Sequence, residues 1–269
     1  MYKLLMQTRA FKFITMACSA IMMSATAEAG VLDGWVGTAG GNWVVQPGND
    51  SVLQTLNGNA TYFYNPVSNA INQALSGKIK VQTTVDDDFI GFALGFDSSD
   101  LNSATANFIL VDWKQTNQSG AARGLAISHV TDSRSTAPFG DLWNHTPPGV
   151  NEIRRATNLG GTGWVDLVEY DFDIQFTANL IEVSVNGMKE LSITAVDAGL
   201  SAFDSGAFAF YNQSQSQVLY SQIDLNPTVL PVPAVPEPAG MVVWSLLACL
   251  AGVTNWRRKW KLRGSHGIL

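Results

Sequence analysis

Apolar and polar positions alternate along this chain in short runs separated by Gly, Asn, Asp and Ser, with a period of two rather than 3.6. Residues 78–84 alternate as a half-buried strand does, with Ile79 and Val81 on one face and Lys78, Lys80 and Gln82 on the other. Phe89–Phe96 is almost wholly apolar, the pattern of a central strand covered on both faces. Residues 108–113, Gly124–Val130, 207–211 and 218–225 read as further strands. From Glu169 to Phe176 the alternation is strict: Glu169, Asp171, Asp173 and Gln175 on one face, Tyr170, Phe172, Ile174 and Phe176 on the other. Leu180–Val185 and residues 188–193 flank Asn186-Gly187, a pair suited to the positive φ angles of a type I′ hairpin turn. Only residues 67–75 offer helical spacing. Many strands, few helices and no βαβ alternation predict an all-β antiparallel sandwich over residues 30–226. Residues 227–236 carry four prolines and read as an extended linker within 227–238.

The two ends follow other rules. Lys3, Arg9 and Lys12 precede an uncharged, mostly apolar run over 13–26 and the small-x-small step Ala27-Glu28-Ala29. That is the layout of a secretory signal peptide over residues 1–29, cleaved after Ala29. No charged residue stands between Glu237 and Arg257, and Arg257, Arg258, Lys259, Lys261 and Arg263 follow at once. A helix over 239–256 is just long enough to cross a hydrocarbon core of roughly 30 Å. The basic tail, 257–269, would stay cytoplasmic by the positive-inside rule, leaving the body outside.

Composition sharpens this picture once the ends are set aside. Residues 30–236 hold 8 Lys/Arg against 20 Asp/Glu, a formal charge of −12. Such a body argues against nucleic acid and anionic membrane surfaces as partners. Cys18 and Cys249 both fall in the ends, so the body has no disulfide and no thiol chemistry. There is no Gly-x-Ser-x-Gly, no phosphate loop and no His-Glu-x-x-His, and no catalytic residue is assigned.

The acidic run Asp86-Asp87-Asp88 opens a strand, and adjacent carboxylates repel by roughly 1 kcal/mol per pair in water. It reads either as a solvated acidic turn or as oxygen ligands for a divalent cation, for which Ca²⁺ suits better than Zn²⁺. Asp97, Asp100 and Asp112 are further oxygen donors nearby in the chain. Glu169, Asp171 and Asp173 raise a second possibility, because glycosidases place paired carboxylates at alternate strand positions. His129 and His145 read as structural, and nothing in the sequence brings them together. Trp35, Trp43, Trp113, Trp143 and Trp164 are mostly core candidates, the alternative being stacking on sugar rings from a concave sheet face.

Two resemblances are carried by particular residues. Residues 85–96, which start Val85-Asp86-Asp87-Asp88-Phe89, together with Trp113-Lys114-Gln115, Gly124-Leu125, Leu142-Trp143, Gly163-Trp164 and Gly206 to Tyr211, resemble the thrombospondin C-terminal domain, a concanavalin-like (L-type lectin) sandwich. Val235-Pro236-Glu237-Pro238, the apolar segment and the basic cluster resemble a PEP-CTERM sorting signal. The first resemblance implies a non-catalytic, calcium-associated adhesion module, which favours Ca²⁺ at Asp86, Asp87 and Asp88; Asp112 is added to them as a further candidate ligand. The second implies export in a Gram-negative bacterium that makes exopolysaccharide, processing by an exosortase at the Pro236-Glu237-Pro238 motif, and membrane retention by the C-terminal helix before that. The expected partners are extracellular polysaccharide or matrix and surface proteins. The alternative is a polysaccharide-binding lectin or glycoside hydrolase that uses the concave face.

Overall fold

The computed structural model describes residues 30–134 and 141–227. They form two seven-stranded sheets packed face to face, with every neighbouring pair of strands antiparallel. The first sheet runs β1 (Val36–Gly37), β4 (Thr61–Tyr64), β13 (Ala207–Gln213), β6 (Phe89–Phe96), β7 (Phe108–Lys114), β8 (Gly124–Val130), β9 (Val150–Arg155). The second runs β12 (Met188–Thr194), β11 (Leu180–Val185), β10 (Glu169–Phe176), β5 (Gln73–Val81), β14 (Val218–Pro227), β3 (Val52–Gln54), β2 (Trp43–Val45). One helical turn, α1 (Asp141–Asn144), lies among the loops.

Alternation and burial agree strand by strand. On β10 Phe172, Ile174 and Phe176 are buried while Glu169 and Asp171 are exposed, because this strand has core on one side only. All of β6, β7, β8 and β13 is buried, because the first sheet is covered on both faces. Between the sheets Phe92 meets Phe172 at 4.6 Å between ring centroids, and Phe210 stacks on Tyr220 at 4.5 Å. Each such side chain contributes about 1.5–3 kcal/mol through burial. On the outer face of the first sheet a second cluster forms around Tyr62, Phe96, Phe108, Leu142 and Trp143. The loops that supply this cover also build the sites described below.

Two expectations are corrected. No helix forms over 67–75: residues 65–72 are a turn that Asn72 leaves with φ 63°, and Gln73 already opens β5. The helical spacing came from Ala70, which is buried in a loop, and Leu75, which is buried on a strand. The last strand also reaches Pro227, paired with Gln73, so the linker starts one residue later than expected. A proline fits there because it ends the strand and supplies no ladder N–H. The expected signal peptide with Ala27 and Ala29, the motif Pro236-Glu237-Pro238, the membrane helix and the basic tail lie outside the described residues. Among the described residues no helix is long and apolar enough to cross a membrane.

Candidate functional site

Asp86, Asp87 and Asp88 stand at the entry to β6, with one potential ligand atom from each lying within 4.8 Å of the others. Asp86 holds φ at +78°, a conformation uncommon outside glycine, which turns the chain so that consecutive carboxylates gather instead of alternating across a strand. Asn57 donates through Nδ2 to Asp86 Oδ2, and Thr116 donates through Oγ1 to Asp87 Oδ2. Asp88 is 2% exposed, and its Oδ1 accepts from Lys114 Nζ at 2.6 Å. The Lys114 side chain is fully buried; its Nζ also donates to the Asp87 carbonyl at 3.2 Å and to Gln118 Oε1 at 3.1 Å, and it lies 4.7 Å from the Trp143 ring centroid. The pairing of Phe89 with Lys114 across β6 and β7 brings this lysine to the cluster. Burial pushes the Asp88 carboxyl up to about 6, the ion pair with Lys114 opposes that shift, and the bond to Asp86 adds to it. One ammonium therefore faces three carboxylates. The net charge left over is negative, and the donor set is all oxygen.

Asp112 is not part of this cluster. It points outward from the middle of β7, opposite Gly91 and Ala126, and its Oδ2 accepts from His145 Nε2 at 2.9 Å. His145 Nδ1 bonds Glu152 Oε2 at 3.0 Å, and Arg155 Nη2 donates to the same oxygen at 2.7 Å. Burial alone would push the imidazolium down, but Asp112 and Glu152 on its two nitrogens outweigh it and hold the pKa at about 10. Asp97 and Asp100 are also separate. Their carboxylates cap each other's backbone at the far end of β6, roughly 30 Å from Asp88 at about 3.3 Å per residue.

Above the outer face of the first sheet lies a cavity of about 510 Å³, within the usual size range of small-molecule sites. Tyr62 and Gln213 lie on the sheet side, and Leu142 with Trp143 of α1 forms part of its wall. Asn57 and Ser214 border it near the acidic cluster, while Asp100, Leu101 and Asn102 border it at the other end of β6. Tyr62 is 3% exposed, and its hydroxyl has no hydrogen-bond partner among the described residues. Both oxygens of Asp100 are taken by backbone, accepting from Asn107 N–H at 2.9 Å and Asp97 N–H at 2.8 Å. Ser214 joins cavity to cluster, donating to Asn57 Oδ1 at 3.4 Å.

The other candidates fall elsewhere. Glu169 and Asp171 lie exposed on the second sheet, where Lys78 pairs with them at 2.7 and 3.6 Å. Neither borders the 510 Å³ cavity, and surface ion pairs of this kind carry small energetic weight. Trp35, Trp113, Trp143 and Trp164 are buried and Trp43 is half-buried, so the core reading of the tryptophans holds. Trp164 Nε1 donates to the Asp88 carbonyl at 3.0 Å. Gly163 lets that loop close: a Cβ there would sit 1.9 Å from the Gln115 carbonyl oxygen. His129 Nε2 bonds Asn107 Oδ1 at 2.7 Å, away from His145. Sequence reasoning did not find Lys114, Tyr62 or Glu152. Only the Lys114 position, inside the Trp113-Lys114-Gln115 element, carried a signal that could have pointed to it.

The chain is an all-β antiparallel sandwich. No model of a known protein family matches it. Among curated proteins it is 24% identical over 198 residues to thrombospondin-3b of Danio rerio and 24% identical over 200 residues to thrombospondin-4 of Bos taurus. Each match covers 68% of this chain and 20% of the relative, so the chain spans about a fifth of the length of the curated relatives it matches. Among solved structures, the carbohydrate-binding module CBM66 from Bacillus subtilis superposes with a TM-score of 0.51 at 8% identity, over 72% of this chain and 95% of that one.

Proposed function

We propose that this chain is an exported, non-catalytic adhesion module of a bacterial cell surface or polysaccharide matrix, which takes carbohydrate on the outer face of its first sheet. The observation that carries this reading is the 510 Å³ cavity on that face. Its amides, hydroxyls and apolar side chains suit a ligand with both hydroxyls and apolar faces. Binding is favoured over hydrolysis because the carboxylates at alternate strand positions, Glu169 and Asp171, are on the opposite sheet. Among the described residues Asp100 is the only carboxylate lining the cavity, and backbone amides already hold both its oxygens. The matches to thrombospondins and to a carbohydrate-binding module support the class. Export through residues 1–29 and exosortase sorting at Pro236-Glu237-Pro238, with residues 239–256 as a membrane anchor before processing, complete the proposal and rest on the charge pattern of the two ends. A glycan array probed with the purified full chain, with and without Ca²⁺, tests the reading. Retention of one or more glycans is expected, and a blank array in both conditions would sink it.

Calcium is part of the same proposal. Asp86 and Asp87, with Asp88 behind them, fit Ca²⁺: three carboxylates face a single ammonium, and hard oxygen donors suit this ion. Asp112 is not proposed as a ligand, because His145 holds it. An ion that binds only the folded chain, present at a hundred times its Kd, stabilises by about 2.7 kcal/mol. That corresponds to a rise in Tm of about 5–10 °C for a domain of this size. Asp86→Asn with Asp87→Asn should abolish the response while leaving the fold in place, since both side chains are only half-buried and Lys114 keeps Asp88 as partner. Equal melting temperatures in millimolar Ca²⁺ and in EDTA would remove the ion from the proposal.

A further inference from the structure

The residues around the cavity carry more information than its existence. Its border reaches from Asn57 and Ser214, beside the start of β6, to Asp100 and Asn102, just past its end. Gln213 pairs with Phe89, so the order along the wall follows the strand. The border of the cavity therefore holds residues from both ends of an eight-residue strand, which is itself about 26 Å long. A single sugar ring would leave most of that length empty, whereas a chain of rings would fill it.

The chemistry narrows the ligand further. The hydrogen-bonding side chains along the wall are mainly neutral, amides such as Asn57, Asn59 and Asn102 together with hydroxyls such as Thr38 and Ser133, and both kinds offer donor and acceptor atoms as sugar hydroxyls require. The two charged side chains on the wall are both answered within the protein. Asp100 accepts from two backbone amides, and Arg134 forks onto Asp132 through Nε and Nη2 at 2.9 and 2.5 Å. An acidic glycan would need unpaired cations and would also meet the Asp86–Asp88 cluster at one end. Leu101, at an exposed position, adds apolar surface for the C–H faces of sugar rings.

We infer that this cavity is a groove for an internal stretch of a neutral, linear oligosaccharide lying along the direction of β6. The inference rests on the carbohydrate-binding reading above and specifies its ligand and site. The test is calorimetric titration of the full chain with neutral linear oligosaccharides (cello-, laminari- and manno-series, from two to six units) and with acidic ones of matching length (oligogalacturonate and oligomannuronate). At least one neutral series should bind with affinity that rises with chain length, and the acidic series should bind at least tenfold more weakly. Asn59→Ala and Leu101→Ala, both at exposed positions, should each weaken binding about fivefold to tenfold with Tm unchanged. Preference for an acidic series, affinity independent of length, or neutral binding untouched by both variants would overturn the groove while leaving carbohydrate binding intact. No heat with any series and a blank glycan array would remove the broader reading together with the groove.

Discussion

Replacing Lys114 with methionine should destabilise the domain by about 3–5 kcal/mol, the range for removing one partner of a buried ion pair. The cost comes from what is left behind. Asp88 is 2% exposed, and Lys114 approaches its Oδ1 at 2.6 Å from a fully buried position. Methionine can still fill the space between Phe89 and Trp143, where the ammonium lies 5.2 and 4.7 Å from the ring centroids. What it cannot do is answer the Asp88 charge or donate to the Asp87 carbonyl and to Gln118. In urea the midpoint should fall at unchanged m, which separates lost stability from a changed unfolded state. Pairing Lys114→Met with Asp88→Leu should restore much of the loss, since replacing a buried pair by apolar residues is often close to neutral. If the single variant loses less than about 1 kcal/mol, Lys114 is not the main counter-charge of Asp88, and some other group balances the acidic cluster.

The second large effect is a pH dependence on the alkaline side. His145 has a folded pKa of about 10, above the ordinary histidine value of 6.5, because Asp112 and Glu152 hold the imidazolium against the cost of burial. A cation whose pKa is raised on folding adds stability that is fully present below about pH 6.5. That stability is then lost as the pH climbs from 6.5 towards 10. The whole swing should amount to several kcal/mol. Chemical denaturation at steps between pH 6 and pH 10 should show the decline. His145→Gln should be less stable at pH 6 and nearly flat over the same interval, because a neutral amide has no proton to lose there. The bond from His145, and then Arg155 at 2.7 Å, hold the Glu152 carboxyl below its ordinary range, so the slope between pH 6 and pH 10 belongs to His145. A variant that keeps the full wild-type slope would place the titrating group elsewhere.

Both predictions concern contacts that the one-dimensional pattern could not show. Strand identity was legible wherever a strand had one wet face or none. The strict alternation from Glu169 to Phe176 and the apolar run Phe89–Phe96 each became the expected strand, with the expected burial. Asn186-Gly187 became the hairpin turn, with φ of 49° and 74°. The missed strands, β1 to β4 and β9, are two to six residues long. Pairs and triplets of residues hold too few positions to reveal a period. In β9 the run Asn151, Glu152, Arg154 and Arg155 reads as polar loop, although it is the edge strand that carries the Glu152 partner of His145.

By itself the sequence determined an all-β antiparallel body, a net-acidic charge, cysteine-free chemistry and the local crowding of Asp86, Asp87 and Asp88, because all of these reside in composition or in residues adjacent along the chain. Tertiary structure alone decided which charges meet. Lys114 reaches Asp88 across 26 residues through the β6–β7 register, and His145 joins Asp112 to Glu152 from a loop folded over the sheet. The cavity, too, exists only in three dimensions. Its walls come from distant segments, including Asn57, Asp100, Trp143 and Gln213, none of which is distinctive on its own. The physical reason is the same in each case: alternation and local charge act between neighbours in sequence, whereas ion pairing and shape depend on strand register and loop closure, which the whole sandwich sets together.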